Sequence, residues 1–216
     1  MTIFRMKYNF LVIEGNIGAG KTSLSKRISQ QFNAKLILEQ FAENPFLPKF
    51  YEEPDKYSFQ LELSFLADRF HQLNQDLTSG DLFKSFTLSD YYFTKSLIFS
   101  KCTLPNEEYK LYRKIFNIIY SSLPKPDLYV YLHLHVDNCI KNIKKRGRDY
   151  EQSISPEYLH QIQDGYLEYL KSQKDLKILI IDTNNLDFVN NQEQYDQVIH
   201  AIFEKEYSIG INTLFF

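Results

Sequence analysis

The clearest chemistry lies in the stretch FLVIEGNIGAGKTSL, Phe10 to Leu24. Its Gly15-x-x-x-x-Gly20-Lys21-Thr22 spacing is that of a phosphate-binding loop, in which glycines let backbone N–H groups close around phosphate oxygens. An apolar run precedes it and a helical pattern follows, a context that a chance glycine turn lacks. Gly15, Asn16, Ile17, Gly18, Ala19, Gly20, Lys21 and Thr22 are the expected nucleotide-binding residues. Lys21 is spaced to reach the β- and γ-phosphates, and Thr22 to place its hydroxyl on Mg2+. The helix N-terminus adds donors and a favourable dipole. ATP with Mg2+, or another nucleoside triphosphate, is the implied phosphoryl donor. The loop does not name the acceptor.

Other residues offer chemistry with less specific signals. Glu39 follows a short strand, where a carboxylate points toward a site and could accept the proton of an attacking hydroxyl; a solvated loop glutamate fits equally. KKRGRDYEQ, Lys144 to Gln152, reads either as a solvated basic helix end or as a lid whose Arg146 and Arg148 close over phosphates. His133 and His135 share a strand face, but without a third ligand they are assigned no role.

These residues need a scaffold, and the patterns supply one. Strands are expected at Asn9–Glu14, Lys35–Leu38, Phe86–Ser89, Asp127–Val136 and Lys177–Asp182, alternating with helices. The longest helix, Asp55 to about Ser79, carries the stripe Phe59, Leu63, Leu66, Phe70, Leu73, Leu77. Such alternation predicts an α/β fold with a parallel five-stranded sheet, helices on both faces and a lid over about residues 144–156. Ligands bind beyond the C-terminal strand ends in such sheets, which gathers Glu14–Thr22, Glu39, Ser89–Asp90 and Asp182–Phe188 on one edge. INTLFF reads as an apolar tail.

Bulk properties narrow the field. The 216 residues, 44% hydrophobic, suit one domain over 1–216. A net charge of −2 gives no basic field for nucleic acid. Cys102 and Cys139 lie far apart without metal spacing and read as reduced thiols of a cytoplasmic protein. No apolar run reaches membrane-spanning length, and MTIFRMKYNF lacks the layout of a signal peptide.

In three places, GNIGAGKTSL, NPFLPKFYEEPDKYSF with FLADR, and RGRDYEQSISPEYL, the sequence resembles the deoxynucleoside kinase family, and the resemblance covers nearly the whole chain. It implies that ATP phosphorylates the 5′-hydroxyl of a deoxynucleoside in nucleotide salvage. It implies Glu39 as general base, Tyr51 and Glu151 as the pair on the 3′-hydroxyl, Arg69 near the base edge, and Arg146 and Arg148 as lid arginines. It implies Asp187 and Phe188 over the donor's adenine, Asp90 with Thr22 on magnesium, and a homodimer joined through long helices.

Two departures stand out. Where the family has an arginine after the acidic residue, this chain has Asp90-Tyr91-Tyr92; Lys95, one helical turn beyond Tyr91, is the expected source of replacement charge. Glu62 stands where the family usually has a base-reading glutamine, and it shares a helix face with Arg69. An ionised carboxylate offers two acceptors and matches the neighbouring donors of guanine, so a purine, deoxyguanosine first, is the expected acceptor. Two alternatives compete: a thymidylate-type monophosphate kinase, for which NPFLPKFY offers only Lys49, and a weakly catalytic nucleotide-binding protein, on account of Tyr91.

Overall fold

The computed structural model describes residues 7–40, 44–79 and 81–216. The first residues of MTIFRMKYNF, and Ala42 and Glu43 at the head of the proline-rich connector, lie outside the described residues.

Strands β1 (Phe10–Gly15), β2 (Lys35–Ile37), β3 (Thr87–Ser89), β4 (Leu128–His133), β5 (Lys177–Asp182) and β6 (Gly210–Leu214) form one sheet in the order β2-β3-β1-β4-β5-β6. Every neighbouring pair is parallel. The expected sheet of five strands therefore has six. The difference is the stretch read as a tail: Gly210 to Leu214 pairs along the outer edge of β5, with Ile178 opposite Ile211 and Ile180 opposite Thr213. Its short, half-polar GINTL pattern lacks the continuous apolar run that marks β1, β4 and β5.

β1 lies inside the sheet and is buried along its whole length, so its side chains feed opposite faces in alternation. Leu11 and Ile13 join Leu24 and Ile28 of helix α1 (Lys21–Phe32) on one side. Phe10 and Val12 meet Tyr91, Tyr92, Tyr129 and Tyr131 on the other. Strand order reverses at β1, and the phosphate loop leaves its C-terminal end at that point.

Helices α2 (Leu47–Glu52) and α3 (Pro54–Thr78) border the acceptor side. The predicted stripe of α3 packs on the core through Leu66 and Leu73, while Leu61 and Phe65 form a second apolar face against Leu47 and Phe50 of α2. Glu62 and Arg69 are buried with them. The remaining helices are α4 (Lys95–Thr103), α5 (Asn106–Tyr120), α6 (Val136–Arg146), α7 (Pro156–Ser172) and α8 (Gln192–Phe203), with a 3-10 turn at Asp149–Glu151. No helix among the described residues is long and apolar enough to cross a membrane.

Candidate active site

The phosphate loop is shaped by two glycines at positions where a side chain would be strained. Gly18 has φ +83°, and a Cβ there would come within 2.5 Å of the Cys139 carbonyl oxygen on α6. Gly20 has φ +89° and lies under the Phe188 ring, 2.8 Å from where its Cβ would be. Both use the left-handed region that glycine enters at no steric cost. The Asn142 side chain donates to the Gly18 carbonyl at 2.8 Å, and that of Asn16 to the Leu159 carbonyl at 2.8 Å, so the loop is braced against α6 and α7. The Lys21 ammonium donates to the carbonyls of Gly15 (3.0 Å) and Asn16 (2.9 Å). Burial and the Lys95 charge push that ammonium down to about 8. Ile17 and Ala19 complete the loop, with Ala19 donating its N–H to the Asn16 carbonyl.

From this loop a continuous polar chain runs into the acceptor cleft. The Thr22 hydroxyl donates to one oxygen of Asp90, and the other accepts from the Glu39 N–H at 2.9 Å. Thr22 and Asp90 thus bring two oxygen ligands together beside the loop, a donor set suited to Mg2+ that also coordinates nucleotide phosphates. The Glu39 carboxylate accepts from Arg69 through Nε (3.0 Å) and Nη2 (2.8 Å), and from Lys95 Nζ. Burial alone would raise its pKa, but the Lys95 and Arg69 charges prevail and hold it at about 2. Arg69 therefore sits on the candidate base, with its remaining Nη1 donating to Ser96 Oγ at 2.8 Å, rather than being committed to a base edge.

Tyr91 is fully buried and turned away from the cleft, its hydroxyl donating to the Gln72 side chain at 2.7 Å. Lys95 reaches the cleft for a different reason from the expected shared helix face. Tyr91 precedes α4 and Lys95 is the first residue of it, so the helix start places the lysine.

The rest of the acceptor cleft is lined by Tyr51, Glu62, Phe65, Phe99, Tyr150 and Tyr158. Tyr51 and Tyr150 stack at 6.2 Å between ring centroids. Glu62 is 2% exposed. Its Oε1 accepts from the Thr103 hydroxyl at 2.8 Å, and its Oε2 has no partner. Burial pushes this carboxyl up to about 7, against the Arg69 charge.

Arg146 and Arg148 border both this cleft and a second one beyond the phosphate loop. Neither is poised on a phosphate position: Arg146 forks onto Glu151 (Nε at 2.9 Å) and Arg148 donates to the same carboxylate at 3.1 Å. Glu151 is thus engaged with both arginines, at the mouth of the cleft beside Tyr51. The second cleft is lined by Gly18–Ser23, Asn142, Lys145 and the loop from Thr183 to Asn190. Asp187 stabilises that loop by accepting from the N–H groups of Val189 and Asn190 at 3.3 and 3.0 Å.

The sequence places Glu14 at the site edge without a role, although an acid ending an otherwise apolar strand was the available signal. It is fully buried and accepts from the Tyr92 N–H and the Tyr166 hydroxyl, both at 2.8 Å. Burial raises its pKa in spite of the Lys95 and Lys21 charges. It ties β1 to α7 and to the segment after β3. Thr103 and Ser96 were also missed, because only the fold brings them to Glu62 and Arg69. His133 and His135 join no group that could hold a metal among the described residues.

A parallel sheet with a phosphate loop at its order reversal, and an acceptor cleft opening off that loop, defines an α/β phosphotransferase of the P-loop NTPase type. The profile of the deoxynucleoside kinase family matches residues 11–207; the chain belongs to that family and is a deoxynucleoside kinase. It is 35% identical over 201 residues to the deoxyguanosine kinase of Bacillus subtilis (strain 168), a match spanning 90% of this chain and 96% of the relative. It is 33% identical over 196 residues to the deoxyadenosine kinase of Dictyostelium discoideum, spanning 90% of this chain and 79% of the relative. The solved deoxyadenosine kinase from M. mycoides with bound dATP superimposes with a TM-score of 0.77 at 26% identity, covering 89% of this chain and 98% of that one.

Proposed function

We propose that the chain transfers the γ-phosphoryl group of ATP to the 5′-hydroxyl of a deoxynucleoside in nucleotide salvage, with deoxyguanosine favoured. The observation that carries the base preference is Glu62: a buried carboxylate in the acceptor cleft with one oxygen free. In this reading Glu39 takes the hydroxyl proton, Tyr51 and Glu151 hold the 3′-hydroxyl, and Arg146 and Arg148, from a lid over 144–156, turn to the phosphates. Asp187 and Phe188 flank the donor's base. Thr22 and Asp90 would hold Mg2+, which would supply positive charge against the phosphates. The monophosphate kinase reading has less support, because the exposed Lys49 does not line the cleft. The expected homodimer has one supporting feature, Leu111 and Ile118 exposed on one face of α5.

The preference follows from hydrogen-bond complementarity. Ionised Glu62 accepts from both N1–H and the N2 amino group of guanine, whereas adenine sets its N1 lone pair against the carboxylate. An unmatched buried polar group costs about 1–3 kcal/mol, roughly a factor of five to a hundred and fifty. The carboxyl ionises as pH rises through about 7, so the kcat/KM ratio of deoxyguanosine to deoxyadenosine is expected to climb over that interval. Glu62→Gln supplies one donor and one acceptor at every pH. It is expected to flatten the pH profile and move preference toward deoxyadenosine or deoxycytidine. An ATP-coupled assay over a panel of deoxynucleosides and their monophosphates tests both statements. A wild-type preference for deoxyadenosine at neutral pH would refute the readout by Glu62, and turnover of monophosphates alone would refute the acceptor.

A further inference from the structure

The cleft holds a second ammonium besides that of Lys21. Lys95 is 6% exposed and lines the cleft with Lys21, Thr22, Glu39 and Asp90. An ammonium carries three donors. Among the described residues, the hydrogen bond seen for Lys95 Nζ goes to Glu39 Oε2, which leaves donor capacity for a ligand. Lys95 closes the polar chain that begins at the phosphate loop, running Thr22, Asp90, Glu39, Lys95.

One carboxylate, Glu39, is shared between two nearly buried cations, Arg69 and Lys95. Lys95 opens α4, at the positive end of the helix dipole. It also lies close enough to Lys21 for the two charges to oppose each other. Two partly desolvated cations beside a helix N-terminus are relieved by an anion that arrives between them. The anion the reaction delivers, above the phosphate loop and facing Glu39, is the phosphoryl group.

We propose that Lys95 is a catalytic residue that contacts the phosphoryl group in transit and stabilises the charge on its equatorial oxygens. The 5′-oxygen forms its bond to phosphorus while the bond from phosphorus to the β–γ bridging oxygen breaks. ADP departs with that electron pair, and the hydroxyl proton passes to Glu39. Lys95 makes and breaks no covalent bond; it offsets charge that is greatest in the transition state. With Tyr91 buried against Gln72, Lys95 and Lys21 are the lysines lining the cleft around the reacting phosphate. The role rests on the 5′-hydroxyl being the acceptor and holds whichever base is preferred.

The test compares Lys95→Met and Lys95→Arg with the wild-type enzyme, using the deoxynucleoside that the wild type turns over best. Lys95→Met is expected to lower kcat by about a hundredfold or more, with KM for ATP and for the deoxynucleoside changed less than about fivefold. Lys95→Arg is expected to recover part of the loss. Binding of ADP with aluminium fluoride and the deoxynucleoside, a planar phosphoryl mimic, is expected to tighten over ADP alone in the wild type and not in the Met variant. Where thermal melting shows that Lys95→Met is unfolded, Lys95→Gln, which keeps a donor toward Glu39 without the charge, is read in its place. An unchanged kcat overturns the proposal. So does a raised deoxynucleoside KM at constant kcat, or fluoride tightening that survives the loss of charge. A wild type that phosphorylates no deoxynucleoside overturns the acceptor assignment, and with it this role.

Discussion

Lys21→Ala is expected to lower kcat by about 10²–10³-fold while the protein stays folded. Lys21 is anchored by the carbonyls of Gly15 and Asn16, so its ammonium is held beside the phosphate loop before any ligand arrives. Burial and Lys95 hold the ammonium at about 8 in the empty site, so it is mostly charged at neutral pH, and bound phosphate strengthens that state. The measurement is steady-state kinetics beside a thermal melt. Activity within a few-fold of wild type would remove the phosphate loop from the mechanism.

Glu39→Gln is expected to reduce kcat by about 10²–10⁴-fold, the range for losing a positioned base, with deoxynucleoside affinity changed only a few-fold. At about 2, its carboxyl is ionised throughout the neutral range, a weak base that orients the hydroxyl and takes its proton as the bond to phosphorus forms. The same substitution leaves Arg69 and Lys95, both nearly buried, without their counter-charge. Removing one partner of a buried ion pair costs about 3 kcal/mol or more. The sign follows from the depressed pKa: Glu39 stabilises the fold above the unfolded carboxylate value, and that contribution fades as pH falls toward about 2. The variant should therefore melt earlier than wild type at pH 7, with the gap narrowing in acid. Equal losses in kcat and affinity would make Glu39 a binding residue only.

The phosphate loop and most elements were legible because local rules fix them: a glycine spacing, an apolar strand before it, a 3.6-residue stripe on α3. The family resemblance then placed Glu39, Glu62 and the lid arginines in one cleft, and all line it. What sequence could not supply was partner choice. Arg69 shares a helix face with Glu62 yet bonds Glu39, since that carboxylate comes from a separate strand end 30 residues earlier in the chain. Tyr91 points inward because Gln72 of α3 lies within reach, a contact no local pattern encodes. β6 was missed for the same reason, since its pairing with β5 depends on tertiary placement rather than on its own short alternation.

The brace between α6 and the phosphate loop separates two arginines that look alike in sequence. Cys139 and Asn142 press and hold α6 against Gly18, and Arg146 is one turn beyond Asn142 at the end of the same 11-residue helix. At about 1.5 Å per residue, the helix is a strut some 16 Å long, pinned near its middle to the loop. Gly147 follows with φ +70°, its N–H donating to the Ile143 carbonyl at 3.2 Å, so the helix ends on a left-handed cap. In mechanical terms the backbone under Arg146 is anchored to the phosphate loop and that of Arg148 lies beyond the helix cap, so their shared hold on Glu151 is the clasp that must open for either guanidinium to swing.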